Sequence, residues 1–391
     1  MTTLPQSRRT IWLLAAVYGL TIANLYYCQP LLPQISRSYG ADAAVGALTT
    51  AGQLGYALAL VLVVPLGDIV RRRPLVVLLL CADAAALGLT AAAPPVEVLL
   101  VAGAVIGLTS AGVVNVLVAY AAGLAGEGTR GRVVGTVLSG GLAGILLSRT
   151  VAGLAAEAVG WQALFGAAAV VTLALAGVLA RAMLPAPPET AMGYGGQLRA
   201  TVRLAAREPV LRRRSVIGAC AFAGFTVFWA TVAFLLAAAP YRYGEARIGL
   251  FALVGAAGAL AARPVGRAAD RGRRRPLTWG LLALGTAAFA MAGAGGGGRL
   301  GWLIVGMLAL DVAVHGTHLV NLSVVYGLVN GARSRVASAY MTVYTLGGVA
   351  GSAGGTAAYR FGGWTAACAL GAAFMLAGLA VAAGGARSGR R

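Results

Sequence analysis

Twelve long apolar stretches, separated by clusters of arginine and by proline and glycine, dominate this sequence. One helix needs about 20 mostly apolar residues to cross a bilayer. The stretches lie at 11–32, 45–67, 74–93, 96–122, 133–156 and 161–184, and then at 214–239, 246–268, 276–294, 300–328, 335–358 and 364–385. We therefore expect an all-α membrane protein with twelve transmembrane helices.

The composition excludes an ordinary soluble enzyme. Of the 391 residues, 59% are hydrophobic and 11% are charged, whereas a soluble domain is typically about 25% charged. All 31 basic residues are arginine, so P-loop ATPases and Schiff-base enzymes, which need a lysine, are excluded. The four cysteines and two histidines form no metal or redox motif. We expect no enzymatic activity, no cofactor and no bound metal.

The arginines are distributed unequally between the two sides of the predicted membrane. The N-terminus, the C-terminus and the loops on their side carry 25 arginines, the opposite loops carry five, and Arg149 falls inside a span. Positively charged loops stay in the cytoplasm, so we expect both termini to be cytoplasmic. The net charge of +20 is then an orientation signal, and no nucleic-acid partner is expected.

The second half of the chain repeats landmarks of the first. The pentapeptide RRRPL occurs at Arg71–Leu75 and again at Arg273–Leu277, an offset of 202 residues. Each half contains six predicted spans, so both halves start on the same side of the membrane. We expect two parallel six-helix bundles, at 1–184 and 214–391, which is a pattern of transporters that work by rocking.

A polar linker at 185–213 connects the two predicted bundles. It contains Arg199, Arg203 and Arg207 at intervals of four residues, so these side chains share one face of a helix. We expect a cytoplasmic amphipathic helix that contacts anionic membrane lipids.

Two segments resemble the major facilitator superfamily, whose loop between the second and third helices has the pattern G-x-x-x-D-R-x-G-R-R. The segments are VPLGDIVRRR at Val64–Arg73 and GRAADRGRRR at Gly266–Arg275. In addition, ANLYYCQPLLPQI at Ala23–Ile35 resembles a bacterial exporter subgroup, the sugar- and drug-efflux permeases. The resemblance covers essentially the whole chain. It implies the two-bundle fold, a small-molecule substrate, and export in exchange for protons by a monomer of the bacterial inner membrane.

The sequence departs from the drug/proton antiporters of that family in two places. Those antiporters carry an arginine in the fourth span, and the stretch Val96–Ala122 contains none. They also carry G-x-x-x-G-P-x-x-G-G in the fifth span. Here Ile145 replaces the proline, and Ser148-Arg149 replaces the glycine pair.

The repeated loop contains candidate gating residues. Asp68 lies at the end of the second span, a helix C-terminus, where the macrodipole disfavours an anion. Asp68 in the first half could cap the N-terminus of the eleventh span in the second half. Asp270 in the second half could cap the N-terminus of the fifth span in the first half. The alternative is a charge cluster that only sets topology. The candidate gating residues are Asp68, Arg72, Arg73, Asp270, Arg271, Arg274 and Arg275.

Arg149 is a candidate substrate or coupling residue, because a charge in the middle of a membrane is costly and must face protein or water. Its candidate partners are Asp83 in the third span, Glu157 at the end of its own span, or an anionic substrate. A structural ion pair and a functional role both stay open.

The tenth span contains Asp311, His315 and His318, whose spacing places them on one helical face. A carboxylate near imidazoles suits proton coupling at neutral pH. The alternatives are substrate contact, inert hydrogen bonding between helices, and an incomplete zinc site. Asp83 paired with Arg149 is the second choice for the coupling group.

In the family that the chain resembles, the first, fourth, seventh and tenth spans line the central cavity. The resemblance therefore adds candidate substrate contacts, each of which could equally be a routine interhelical bond. They are Asn24, Tyr27, Gln29, Asn115 and Trp229.

The leading functional prediction is proton-coupled efflux of a small organic compound such as a drug, sugar or metabolite. The same fold could instead take up or exchange an anionic metabolite held by Arg149. A remote alternative is an intramembrane protease that uses Ser110 or Ser139 with His315. Peptide cleavage does not require two matching halves, so the repeat argues against this alternative.

Overall fold

The computed structural model describes residues 8–40, 42–125, 129–184, 193–261, 265, 271, 274–328 and 333–384, and most of these residues are helical. The helices are α1 (Arg8–Tyr26), α2 (Cys28–Tyr39), α3 (Asp42–Leu62), α4 (Leu66–Ile69), α5 (Arg72–Ala91), α6 (Val96–Leu124), α7 (Arg130–Val159), α8 (Trp161–Ala182), α9 (Tyr194–Arg207), α10 (Pro209–Ala237), α11 (Glu245–Ala261), α12 (Arg274–Gly295), α13 (Leu300–Val325) and α14 (Arg333–Gly384). Within this described part, ten helical segments are long and apolar enough to cross a membrane. The expected all-α membrane class is confirmed.

The first apolar stretch was predicted to end at residue 32, but the helical segment continues to Tyr39. It is interrupted at Tyr27, between α1 and α2. Pro30 explains the break, because proline has no N–H to bond the carbonyl of Tyr26 and its ring clashes with that carbonyl. The polar residues beyond Pro33 remain helical, so hydropathy alone placed the end of this segment too early.

The last two predicted spans form a single helical run, α14. The backbone leaves the helical conformation at Gly362 and Gly363, where Gly363 has a φ of +62°. Glycine adopts this left-handed conformation without steric cost, so the chain turns here without a loop. The turn coincides with the gap predicted between 335–358 and 364–385.

Buried apolar side chains form separate cores in the two halves of the chain. One large core is built from α10 to α14 around residues such as Phe228 and Phe289. Two others are built almost entirely from α1 to α8, around Leu80 and Trp161. Large apolar side chains such as Val170, 70% exposed, cover the outside, as expected of a surface that faces lipid.

Several helices begin at arginines, including α1, α5, α7, α12 and α14. We call this end of the molecule the arginine-rich side. The linker helix α9 lies there, with Arg203 exposed and Leu204 packed against the core near Tyr340. The Tyr194 hydroxyl of α9 donates a 3.0 Å hydrogen bond to the Leu62 carbonyl at the end of α3.

The two halves touch closely between α7 and α11, toward the opposite side. A β-carbon on Gly249 would lie only 2.6 Å from the Arg149 carbonyl oxygen and 3.2 Å from the Cα of Gly153. Only glycine fits so close a backbone approach, and small residues are typical of such helix contacts in membranes. This contact places the Arg149 segment directly against the second half.

Candidate functional site at the boundary between the halves

Arg149 is buried where α2, α7 and α10 meet, and it is 4% exposed. Its Nε donates a 2.8 Å hydrogen bond to Oε1 of Gln29. Its guanidinium carbon lies 4.1 Å from the centre of the Trp229 ring and 4.9 Å from that of Tyr26. Cation–π contacts of this kind contribute about 2 kcal/mol when the cation is desolvated. The terminal nitrogen Nη2 is buried without a hydrogen-bond partner among the described residues, so one edge of the guanidinium is available.

Asp311 on α13 approaches the same place from the second half and is 3% exposed. A β-carbon on Gly255 would lie 2.8 Å from Asp311 Oδ2 and 3.3 Å from the Trp229 ring. Asp311 and Arg149 are close enough for their charges to interact, but they are not among the ion pairs within 4.0 Å in the described part. The carboxylate and the guanidinium are therefore near each other without forming an ion pair, and Trp229 lies beside both.

The two histidines of α13 do not bond to the Asp311 carboxylate. The His315 ring nitrogen Nδ1 lies 2.9 Å from the main-chain carbonyl of Asp311, and the ring packs edge-on against Phe225. The Nδ1 atom of His318 lies 3.1 Å from the Tyr340 hydroxyl. The predicted shared face exists, but its imidazoles join an aromatic cluster of the second half.

That aromatic cluster was missed by the sequence analysis. Tyr344 stacks on Phe222 with ring centres 4.3 Å apart and lies 4.7 Å from the His318 ring. The spacing of four between Tyr340 and Tyr344 puts both on one face of α14. This spacing was the available signal.

Asp83 lies elsewhere, inside the first half, and is fully buried. Its Oδ2 accepts a 2.7 Å hydrogen bond from Asn24 Nδ2, and its Oδ1 is 2.7 Å from the Thr109 hydroxyl. Asn24 also donates to the Thr172 hydroxyl at 3.1 Å. The structure thus places Asp83 among neutral partners, not with Arg149.

The other predicted contacts are placed separately. Tyr27 is buried and packs edge-on against Phe165, with ring centres 6.4 Å apart. Asn115 donates a 2.9 Å hydrogen bond to the Ala111 carbonyl of its own helix. Neither residue reaches the Arg149 site through these contacts.

The gating residues lie on the arginine-rich side. Arg72 is buried, lies 3.6 Å from the Asp68 carboxylate, and donates to the Gly67 and Ala119 carbonyls at 3.1 and 3.3 Å. Arg72 therefore ties the α4 turn to α6. Asp270 lies outside the described residues. The remaining gating candidates are half-buried or exposed: Arg73, Arg271, Arg274 and Arg275.

Polar contacts also join the halves on the side away from the arginine clusters. Arg37 forms a 2.5 Å ion pair with Glu245. Glu157 Oε2 accepts a 2.9 Å hydrogen bond from the backbone N–H of Ala246, in the first turn of α11. An anion is favourable at this helix end. Glu157 therefore caps α11 and is not a partner of Arg149.

No group of three or more His, Cys, Asp or Glu side chains gathers as metal ligands within the ranges that the structure covers. Among the described residues, the buried charged side chains at the boundary are those of Arg149 and Asp311.

Comparison with known proteins gives consistent matches. The family model described as Major Facilitator Superfamily matches residues 12–352. The uncharacterized transporter YgaY of Escherichia coli O157:H7 is 41% identical over 373 residues, which cover 95% of this chain and 94% of that protein. SCO4007 of Streptomyces coelicolor, also named as a transporter, is 34% identical over 380 residues, which cover 94% of this chain and 85% of that protein.

The fold is also similar to a solved structure, a bacterial homologue of the human lysosomal transporter Spinster in an inward-facing, occupied conformation. The TM-score is 0.78, and the match covers 99% of this chain and 98% of that chain at 15% identity. At this identity the similarity concerns the fold alone.

Proposed function

The chain belongs to the major facilitator superfamily, and we propose that it exports a small organic compound, such as a drug, sugar or metabolite, in exchange for protons. Its relatives are named as transporters, and its helices suit a multi-pass membrane protein. Substrate class, direction and coupling ion are the parts that we propose.

We also propose twelve spans in two six-helix bundles, with both termini on the cytoplasmic side of the bacterial inner membrane. Ten segments qualify as spans within the described ranges. The turn at Gly362 and Gly363 divides one of them into two. The apolar helix α11 supplies the twelfth if the span predicted at 246–268 continues beyond it. The arginine clusters at the helix starts support the orientation.

The observation that carries the proposal is a pair of opposite charges on different halves. Arg149 comes from the first half and Asp311 from the second, and both are more than nine-tenths buried. Buried charges at a boundary attract strongly because the surroundings are poorly polarisable. The charge on Asp311 therefore affects how firmly the two halves hold together.

Protonation of Asp311 removes this attraction, while Gln29, Trp229 and Tyr26 continue to hold Arg149. A compound that carries a cationic or hydrogen-bond-donating group competes with the proton for the Asp311 carboxylate. Because the proton and the compound cannot occupy Asp311 together, binding of one releases the other. The halves rock between a proton-bound and a compound-bound state, which gives exchange.

Flux into liposomes tests this mechanism. The purified protein is reconstituted, and ethidium, an aromatic cation, is supplied outside with the lumen acidic. We expect ethidium to accumulate against its gradient, the lumen to become more alkaline as it does, and nigericin to stop both by dissipating the pH gradient. Ethidium movement that ignores the pH gradient contradicts proton coupling, and no movement at all excludes an aromatic cation as the exported compound.

The unpartnered Nη2 of Arg149 favours one alternative, which is uptake or exchange of an anionic metabolite. An aromatic carboxylate would bond this nitrogen and stack on Trp229 while Asp311 carries a proton. Benzoate is the matched probe. If this alternative is correct, benzoate and protons move in the same direction, or benzoate exchanges without proton movement, and ethidium does not move.

A further inference from the structure

A cavity lined by apolar and polar side chains lies inside the first half. It is enclosed by α1, α2, α3, α5, α6 and α8. Gln29 contributes to both places, because it lines this cavity and binds Arg149. The polar side chains that line the cavity are those of Asn24, Cys28, Gln29, Thr49, Gln53 and Thr90.

Two hydrogen bonds fix the orientation of the Asn24 side chain at this cavity. Both hydrogens of its amide nitrogen are used, one by Asp83 and one by Thr172. Among the described residues no hydrogen bond to its carbonyl oxygen is found, and the side chain lines the cavity. The oxygen is therefore a fixed acceptor, and the orientation of Asn24 depends on Asp83.

The hydrogen bonds of Asp83 fit a protonated carboxyl group. Thr109 has one hydroxyl hydrogen but lies 2.7 Å from Asp83 Oδ1 and 2.8 Å from the Val105 carbonyl. With a proton on Oδ1, Asp83 donates to Thr109 and Thr109 donates to Val105. Every hydrogen then has one acceptor, and Oδ2 still accepts from Asn24.

Asp83 has no cationic partner among the described residues. Its side chain is fully buried, and none of the ion pairs in the described part includes it. Tyr27 is a titratable neighbour of Asp83, and a phenol cannot supply a compensating positive charge. A buried carboxylate without a cation is strongly disfavoured relative to the neutral acid.

We propose that Asp83 keeps its proton throughout the transport cycle and acts as a positioning residue, which fixes the Asn24 carbonyl oxygen as an acceptor for a hydroxyl or amine group in the first-half cavity. The inference deepens the proposed function, because it assigns a polar subsite for the compound. Its tests do not use transport, so their outcome is independent of whether ethidium or benzoate moves.

Infrared spectroscopy tests the protonation state directly. The starting protein is Asp311→Asn, which removes the other acid that is buried among the described residues. The comparison is the same protein with Asp83→Asn added. We expect a carbonyl stretching band of a protonated carboxylic acid that is present from acidic to alkaline pH and absent after Asp83→Asn. A band that disappears as the pH rises, or no difference between the two proteins, overturns the proposal.

Labelling of Cys28 tests the positioning role, because Cys28 and Asn24 line the same cavity. The other three cysteines are replaced by serine, and the rate of reaction with a small methanethiosulfonate is measured. An amide at position 83 reproduces the bonds of a neutral acid, so Asp83→Asn should keep the parent rate at every pH. Asp83→Leu removes the acceptor for Asn24 and should change the rate severalfold.

Equal rates for all three proteins, or a pH-dependent difference between Asp83→Asn and the parent, would overturn the positioning role. If Asp83→Leu does not fold, Asp83→Ala replaces it in the labelling test, because alanine also lacks the acceptor for Asn24, and the infrared band still decides the protonation state.

Discussion

Two buried aspartates occupy different kinds of site in this molecule. Asp83 is bonded to an amide and a hydroxyl that belong to its own half, whereas Asp311 faces a guanidinium that belongs to the other half. Partners on the same half move together, so a rocking motion leaves the bonds of Asp83 intact. A charged partner across the boundary makes protonation and movement depend on each other. The location of the partner, more than the acid itself, decides which group can couple protons to transport.

The same chemical change at both acids should have opposite outcomes. Asp311→Asn removes the titrating charge, so ethidium accumulation under a pH gradient should fall to the level of empty liposomes. Asp83→Asn keeps the bonding pattern of a neutral acid and should retain most of the accumulation. Equal loss in both variants would remove the functional difference between the two sites.

Loss of the arginine should destabilise the boundary site strongly. Arg149→Gln removes the positive charge nearest to the buried Asp311 carboxylate and the stacking of the guanidinium on Trp229 and Tyr26. We expect a loss of about 2 kcal/mol or more, because such contacts contribute about 2 kcal/mol when the cation is desolvated. Arg149→Lys should rescue little, because lysine lacks the planar group that stacks on Trp229 and Tyr26. Chemical unfolding in detergent measures the effect, with the exposed Arg360→Gln as the control. A loss no larger than that of the control would show that Arg149 does not depend on its partner.

The close backbone approach beside Arg149 should be sensitive to one methyl group. Gly249→Ala would place a β-carbon 2.6 Å from the Arg149 carbonyl oxygen, and overpacking of this kind typically costs about 1–3 kcal/mol. Gly135→Ala on α7 is the matched control, because nothing lies within 4 Å of its added carbon. The control should be neutral or stabilising by about 0.5–1 kcal/mol. Similar unfolding midpoints for both variants would contradict the contact.

The smallest effect is expected at the surface ion pair across the boundary. Arg37 is 66% exposed, and exposed ion pairs contribute about 0.2–1 kcal/mol. Glu245→Gln should therefore lower stability slightly at low salt and not at high salt. The exposed Glu97→Gln is the control. A large, salt-independent loss would show that Glu245 is as important as the buried pair.

The sequence predicted the class and most of the helices because arginine clusters interrupt strongly apolar stretches. The break at Tyr27 was missed, since hydropathy does not report that Pro30 leaves a carbonyl unbonded. The sequence predicted two spans where the structure has one helical run, and the turn at Gly362 and Gly363 divides this run near the predicted boundary.

The candidate site was predicted residue by residue but not as an arrangement. Arg149, Asp83 and Asp311 were identified because charges inside apolar spans are costly. The choice of partner depends on how each helix is rotated and on which helices of the two halves meet. A single sequence contains neither quantity, so Asp83 was considered for Arg149 and Glu157 was not recognised as the cap of α11.

The contact between Gly153 and Gly249 lies much closer to one end of α7 than to the other. At about 1.5 Å per residue, Gly153 lies about 34 Å along α7 from Arg130 but only about 9 Å from Val159. Rotation about this contact therefore moves the arginine-rich ends about four times as far as the opposite ends. A small rotation of the halves would therefore open a wide gap between them on the arginine-rich side. Opening the opposite side would require the backbones of α7 and α11 to separate. If the halves rock about this contact, as the proposed mechanism requires, we expect the arginine-rich side to open more widely than the opposite side for the same rotation.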